Sequence, residues 1–124
     1  LDALAKELGR RIELHGWTPD MPQLIRSHHI LIGKAGGATI QEALAAHTPM
    51  IITQIVPGQE EGNARLLIEN SAGDFATTPQ AIADAVASLT EPSCTRYKER
   101  LLATTRLGHP NGAKDTAHFI ISLL

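Results

Sequence analysis

The sequence predicts an α/β unit in which a parallel sheet is covered by helices, and three observations predict it. Ile30-Leu31-Ile32 and Met50-Ile51-Ile52 are continuous apolar runs, the signature of strands buried on both faces. Each run empties into a glycine-bearing or polar turn, which is followed by a segment with apolar residues at helical spacing. The connections are short, with no internal repeat, low-complexity segment or long linker. Strands that alternate with helices through short loops must run parallel, giving a doubly wound arrangement.

Taken in order, Leu1, Leu4, Ala5 and Leu8 repeat at helical spacing until Gly9. Ile12-Glu13-Leu14-His15 predicts a short strand ending at Gly16. Thr18-Pro19 predicts a helix start, with Thr18 as N-cap and proline in the first turn, leading into a short helix over Met21 to Ser27. The strand Ile30–Ile32 runs into Gly33-Lys34-Ala35-Gly36-Gly37-Ala38 and then a helix through Ala46. After Met50–Ile52 come Pro57-Gly58 and a helix from about Glu60 to Asn70, with Ala64, Leu67 and Ile68 on one face. Thr78-Pro79 opens a helix that aligns Ile82, Val86 and Leu89. From about Ser93 the chain reads as helical, with a break at Gly108-His109-Pro110-Asn111-Gly112.

Composition narrows the function. At 124 residues the chain matches one folding unit. Eleven Lys and Arg against 13 Asp and Glu give a net charge of −2, and the aromatics are only Trp17, Phe75, Tyr97 and Phe119, so nucleic acid is not the expected partner. The single cysteine, Cys94, excludes an internal disulfide framework and a cysteine-rich zinc site. The six histidines have no metal-ligand spacing, and His28-His29 reads as a surface or strand-edge pair rather than a base. No segment approaches the roughly 20 apolar residues of a membrane span, and no signal peptide opens the chain. Leu1 already sits inside a helical pattern, so the chain is expected to be cut from a longer one.

In open α/β sheets ligands bind beyond the carboxyl ends of the strands. Gly16-Trp17-Thr18, Gly33 to Thr39 and Val56 to Asn63 all fall at such ends. Gly36-Gly37, between a strand and a helix, lets a ligand approach the backbone where free amides and the helix dipole favour an anion such as a diphosphate. The same glycines also fit a purely conformational role, and neither G-x-G-x-x-G nor a P-loop is present. Thr39 and Glu42 have the spacing of a capping box, while a carboxylate one turn into the helix also suits a ribose diol. Lys34 fits either phosphate neutralisation or a salt bridge. In Pro57-Gly58-Gln59-Glu60-Glu61-Gly62-Asn63, the acidic pair matches a helix N-terminus. The cluster of acceptors and amides equally suits the hydroxyls of a hexose.

Two long stretches carry a resemblance: Lys34-Ala35-Gly36-Gly37-Ala38-Thr39-Ile40-Gln41-Glu42-Ala43-Leu44, and Val56-Pro57-Gly58-Gln59-Glu60-Glu61-Gly62-Asn63-Ala64. They resemble the nucleotide-sugar half of GT-B glycosyltransferases. The similarity is to the group of monogalactosyldiacylglycerol synthases, bacterial diacylglycerol glucosyltransferases and the lipid II-forming N-acetylglucosaminyltransferase. The Val-Pro-Gly-Gln-Glu run favours the diacylglycerol branch, and Gly16-Trp17-Thr18-Pro19-Asp20-Met21 also fits. The resemblance spans about residues 10 to 75. Two departures from the family pattern, Ala35 in place of proline and Gly62 in place of glutamate, remove no ligand-type side chain.

The resemblance implies a Rossmann-like parallel sheet flanked by helices. Residues 1–124 would form a partial C-terminal nucleotide-sugar-binding domain, truncated on its N-terminal side and lacking the acceptor-binding domain. It implies an inverting transfer of a hexose from a UDP-sugar to a lipid acceptor such as diacylglycerol. Trp17, Thr18 and Met21 would lie at the uracil, Gly36, Gly37, Ala38 and Thr39 at the diphosphate, and Glu42 at the ribose. Gln59 and Glu60 would contact the hexose; Asn63 matches the motif and equally fits a structural amide. No metal or other cofactor is implied. The general base belongs to the absent domain, so the segment alone is expected to transfer no sugar. The resemblance places the parent in the cytoplasm, with any peripheral membrane attachment in its other domain. The alternatives are a donor-binding subunit that needs a separate acceptor-binding chain, and N-acetylglucosaminyl transfer to a lipid-linked peptidoglycan precursor. A sugar-nucleotide epimerase of like architecture would need acids and a histidine that are not evident.

Overall fold

The computed structural model describes residues 12–124. The expected helical repeat over Leu1, Leu4, Ala5 and Leu8, with its stop at Gly9, lies outside the described residues. The elements in order are α1 (Met21–Ser27), β1 (Leu31–Lys34), α2 (Gly37–Ala45), β2 (Met50–Gln54), α3 (Glu61–Glu69), β3 (Gly73–Phe75), α4 (Pro79–Leu89), α5 (Thr95–Leu107) and α6 (Gly112–Ser122). The strands form one parallel sheet in the order β1-β2-β3.

The central strand β2 shows why the fold needs helices on both sides. Side chains alternate along a strand. Met50 and Ile52 join Ile40 and Leu44 of α2, Ala64 and Leu67 of α3, and Ala103 of α5 in one buried cluster. Ile51 faces the other way, into Ala76 and Leu89, with Ile82 and Val86 of α4 packed against them. The expected doubly covered parallel sheet is therefore present. Thr78-Pro79 opens α4 as expected, and Thr78 is its N-cap, accepting from the N–H of Ala81 at 3.2 Å.

Three local expectations are corrected. Ile12–His15 forms no strand, and Glu13, Leu14 and His15 are exposed. Apolar alternation alone does not make a strand, because the ladder bonds must come from a neighbour, and none of the described strands supplies them. Thr18-Pro19 does not start α1. Asp20 is its N-cap and Pro22 sits in its first turn, while Thr18 accepts from the N–H of Asp20 at 3.1 Å in a local turn. The run Ile30–Ile32 becomes a strand displaced to Leu31–Lys34 and is not buried on both faces, since Ile32 is exposed.

The strand β3 has no expectation behind it. It is only three residues long and includes glycine and aspartate, both poor strand formers. Gly73 is needed there because a Cβ would come within 2.7 Å of the Met50 carbonyl oxygen across the sheet. Asp74 is buried and lies beneath two arginines of α5. Its Oδ1 accepts from Arg96 at 2.5 Å and Arg100 at 2.8 Å, and its Oδ2 from Arg100 Nε at 3.2 Å. Arg100 also donates to the Ser71 carbonyl at 3.0 Å, and Arg96 to Ser88 at 3.0 Å. This network ties α5 to the sheet, to the turn before β3 and to α4.

Helix α3 ends in a Schellman-type turn, with Ala72 N–H donating to the Leu67 carbonyl at 2.8 Å and Ser71 to Ile68 at 3.1 Å. Ser71 holds the left-handed position at φ 58° that glycine normally occupies. Ser71→Gly is expected to raise stability by roughly 0.5–1 kcal/mol, relief of left-handed strain outweighing the added entropy of the unfolded chain. Chemical denaturation reads the gain as a higher midpoint at unchanged slope; a lower midpoint contradicts it.

Candidate functional site

Two loops at the carboxyl ends of β1 and β2 build the site. After Lys34, the N–H of Ala35 donates to the Gln54 carbonyl at 2.9 Å, so the glycine turn stays fastened to β2. Gly36 is the N-cap of α2, and the first helical bond runs from Ile40 N–H to the Gly36 carbonyl at 2.9 Å. The N–H groups of Gly37, Ala38 and Thr39 are thereby left without intrahelical acceptors, at the positive end of the helix dipole.

The second loop is a type II turn. The Val56 carbonyl accepts from Gln59 N–H at 3.2 Å, with Pro57 and Gly58 in the middle and Gly58 at φ +79°. Glu61 accepts from Gly58 N–H at 2.6 Å, which with its own backbone N–H holds its carboxyl below the ordinary value. Glu60 turns inward and is only 6% exposed. Its Oε1 accepts from Lys34 Nζ at 2.5 Å and its Oε2 from Val56 N–H at 2.9 Å. The Lys34 hydrogen bond, then that of Val56, keeps the Glu60 carboxyl ionised below the usual carboxylate range. Asn63 completes the clamp by donating to the Ala35 carbonyl at 3.1 Å.

The glycine turn, Thr39, Glu60 and Asn63 therefore lie together at the ends of β1 and β2. A Cβ on Gly36 would meet Lys34 Nζ at 3.3 Å, Thr39 Oγ1 at 3.5 Å and Glu60 Oε1 at 3.8 Å, so three polar groups ring the bare Cα. Ala38 and Gln59 are exposed beside them. The capping-box alternative for Thr39 and Glu42 fails: Gly36 is the cap and Thr39 is the third helical residue, so both side chains lie inside the helix. Asn63 takes the structural-amide role, and Lys34 takes the salt bridge.

Other expected contacts stand apart. Glu42 is half-buried and lines an open groove of about 660 Å³ with Pro22, Arg26, His47 and Pro110. Met21 lines a separate cavity of about 450 Å³ with Leu24, Ile25, Ile30 and Leu31. Trp17 is 92% exposed. The Lys34–Glu60 pairing itself was not anticipated; its members are 26 residues apart and no local spacing links them. Among the described residues, no three His, Cys, Asp or Glu side chains converge as a metal site.

A sequence model of the family described as glycosyl transferases group 1 matches residues 1–91. The chain belongs to the group 1 glycosyl transferases. Among relatives, a probable monogalactosyldiacylglycerol synthase of Glycine max is 28% identical over 113 residues, covering 91% of this chain and 21% of that protein. A processive diacylglycerol beta-glucosyltransferase of Staphylococcus saprophyticus is 43% identical over 75 residues, covering 60% of this chain and 19% of that one. The corresponding protein of Staphylococcus haemolyticus is 40% identical over 90 residues, 73% of this chain and 22% of its own length. A solved structure, the glycotransferase of kitacinnamycin, superposes with a TM-score of 0.63 at 21% identity, covering 90% of this chain and 30% of that one. That likeness is one of fold, and it agrees with the expected GT-B type. This group 1 chain spans about a fifth of the length of the curated relatives it matches.

Proposed function

We propose that residues 1–124 form the UDP-sugar-binding part of an inverting glycosyltransferase that moves a hexose to a lipid hydroxyl, with diacylglycerol as the favoured acceptor. The observation that carries the reading is the glycine turn of this family member. Three amides at the start of α2 and the Lys34 ammonium surround an open approach at the end of β1. Such a donor set is matched to a diphosphate by charge, and the reading calls on no metal. During transfer, the fixed amides and the dipole would stabilise the charge that grows on the departing UDP. Gln59 and Glu60 would face the hexose across the turn. Glu42 would accept from the ribose hydroxyls, and Trp17, Thr18 and Met21 would stand at the uracil. The acceptor site and general base are assigned to a separate domain. The names of the relatives support the acceptor class, since they are described as a probable monogalactosyldiacylglycerol synthase and a diacylglycerol beta-glucosyltransferase. None of the described helices is long and apolar enough to cross a membrane.

The test of the nucleotide contact is calorimetric titration with UDP. Glu42→Ala is expected to weaken UDP binding about tenfold to thirtyfold, the worth of a charge-assisted hydrogen-bond pair. Equal affinity in the variant and the parent removes Glu42 from the ribose.

A further inference from the structure

We propose that Lys34 and Glu60 form an exchangeable pair, in which a bound diphosphate draws the ammonium off the carboxylate and a hexose hydroxyl takes its place. The inference rests on the UDP-sugar reading above and adds a coupling between the two halves of the donor.

The two partners are unequal. The Lys34 side chain is 57% exposed, whereas the Glu60 side chain is 8% exposed and also held by Val56 N–H at 2.9 Å. The ammonium, a point charge on a flexible stem, can therefore move while the carboxylate stays. Where it now rests is the approach to the α2 amides, 3.3 Å from the position of a Cβ on Gly36. A diphosphate seated on those amides presents several anionic oxygens to the same ammonium, against the single carboxylate oxygen that holds it at 2.5 Å. Lys34 need only rotate to change partners. Glu60 then retains its bond from Val56, but Oε1 loses its donor in a buried position, which is costly unless another donor arrives. A hexose hydroxyl attached to the same diphosphate can supply it. UDP alone would break the pair without repairing it, and the hexose would restore the lost hydrogen bond.

This predicts an effect that simple loosening of the loop would not produce. Glu60→Gln keeps an acceptor for Val56 N–H but removes the charge that competes for Lys34. UDP should bind the variant more tightly, by about threefold to tenfold, while the extra affinity of UDP-glucose or UDP-galactose over UDP shrinks. Lys34→Gln, which can still donate to Glu60, should bind UDP about tenfold more weakly and uridine as the parent does. Titrations of UDP, the two UDP-hexoses and uridine into each chain, with folding checked by circular dichroism, read all of these. Glu60→Gln that folds yet binds UDP equally or more weakly overturns the exchange. Lys34→Gln with undiminished UDP affinity overturns it independently, even should Glu60→Gln fail to fold. Failure of the parent itself to bind either UDP or uridine instead overturns the nucleotide-sugar reading, and the exchange with it.

Discussion

Asp74→Ala is expected to cost the fold about 3 kcal/mol, a large part of the stability of a domain this size. The carboxylate is 9% exposed and accepts from both Arg96 and Arg100, so its removal leaves two guanidinium groups aimed at an empty position. Arg100 is nearly buried and bears most of that penalty, while Arg96 stays partly in water and recovers some hydration. A lowered midpoint in chemical denaturation measures the loss; a midpoint within experimental error of the parent's contradicts it. The same network carries a pH dependence. Burial pushes the Asp74 carboxyl up, but the hydrogen bonds and charges of Arg100 and Arg96 more than offset it, leaving it below its ordinary 3.8. A depressed folded-state pKa contributes stability that is complete above the unfolded value and is lost as pH falls through the folded one. Denaturation midpoints of the parent should therefore decline in acid below about pH 4, and Asp74→Asn should lack that component of the decline.

Gly36→Ala is expected to abolish nucleotide binding while sparing the fold, with UDP affinity falling on the order of a hundredfold or more. Gly36 has φ −64° and ψ 136°, a conformation open to any residue, and the new methyl would meet only side-chain ends at 3.3–3.8 Å. The variant should lose no more than about 1 kcal/mol of stability, the cost of alanine for glycine at the N-cap of α2. The methyl would, however, stand in the approach to the Gly37, Ala38 and Thr39 amides and hold a diphosphate off them. Retained UDP affinity in a folded Gly36→Ala chain would remove the glycine turn from the site.

Much of the architecture was legible because it is encoded at short range. Buried β2, the Thr78 cap with Pro79, the Pro57-Gly58 turn and the break at Gly108 to Gly112 all depend on residues within a few positions of one another. Thr39 and Glu42 misled by the same logic. Their spacing satisfies a capping box, yet Gly36 starts the helix three residues earlier and leaves the box inside it. β3 was invisible because Gly73 and Asp74 are chosen for what lies across the sheet and above it rather than for strand propensity.

By itself, then, the sequence determined the fold class, the family and the two turns that follow β1 and β2, since periodicity, capping and turn chemistry act over three or four residues. Only the tertiary structure decided what those loops do to each other. Lys34 reaches Glu60, Asn63 reaches Ala35, and Asp74 receives Arg96 and Arg100 across separations of 22 to 28 residues. Those partners are set by the parallel register that brings β1, β2 and β3 side by side, with Lys34 opposite Gln54 and Ile51 opposite Asp74. Charge and hydrogen-bonding capacity can be read from a residue's identity; its partner is chosen by packing.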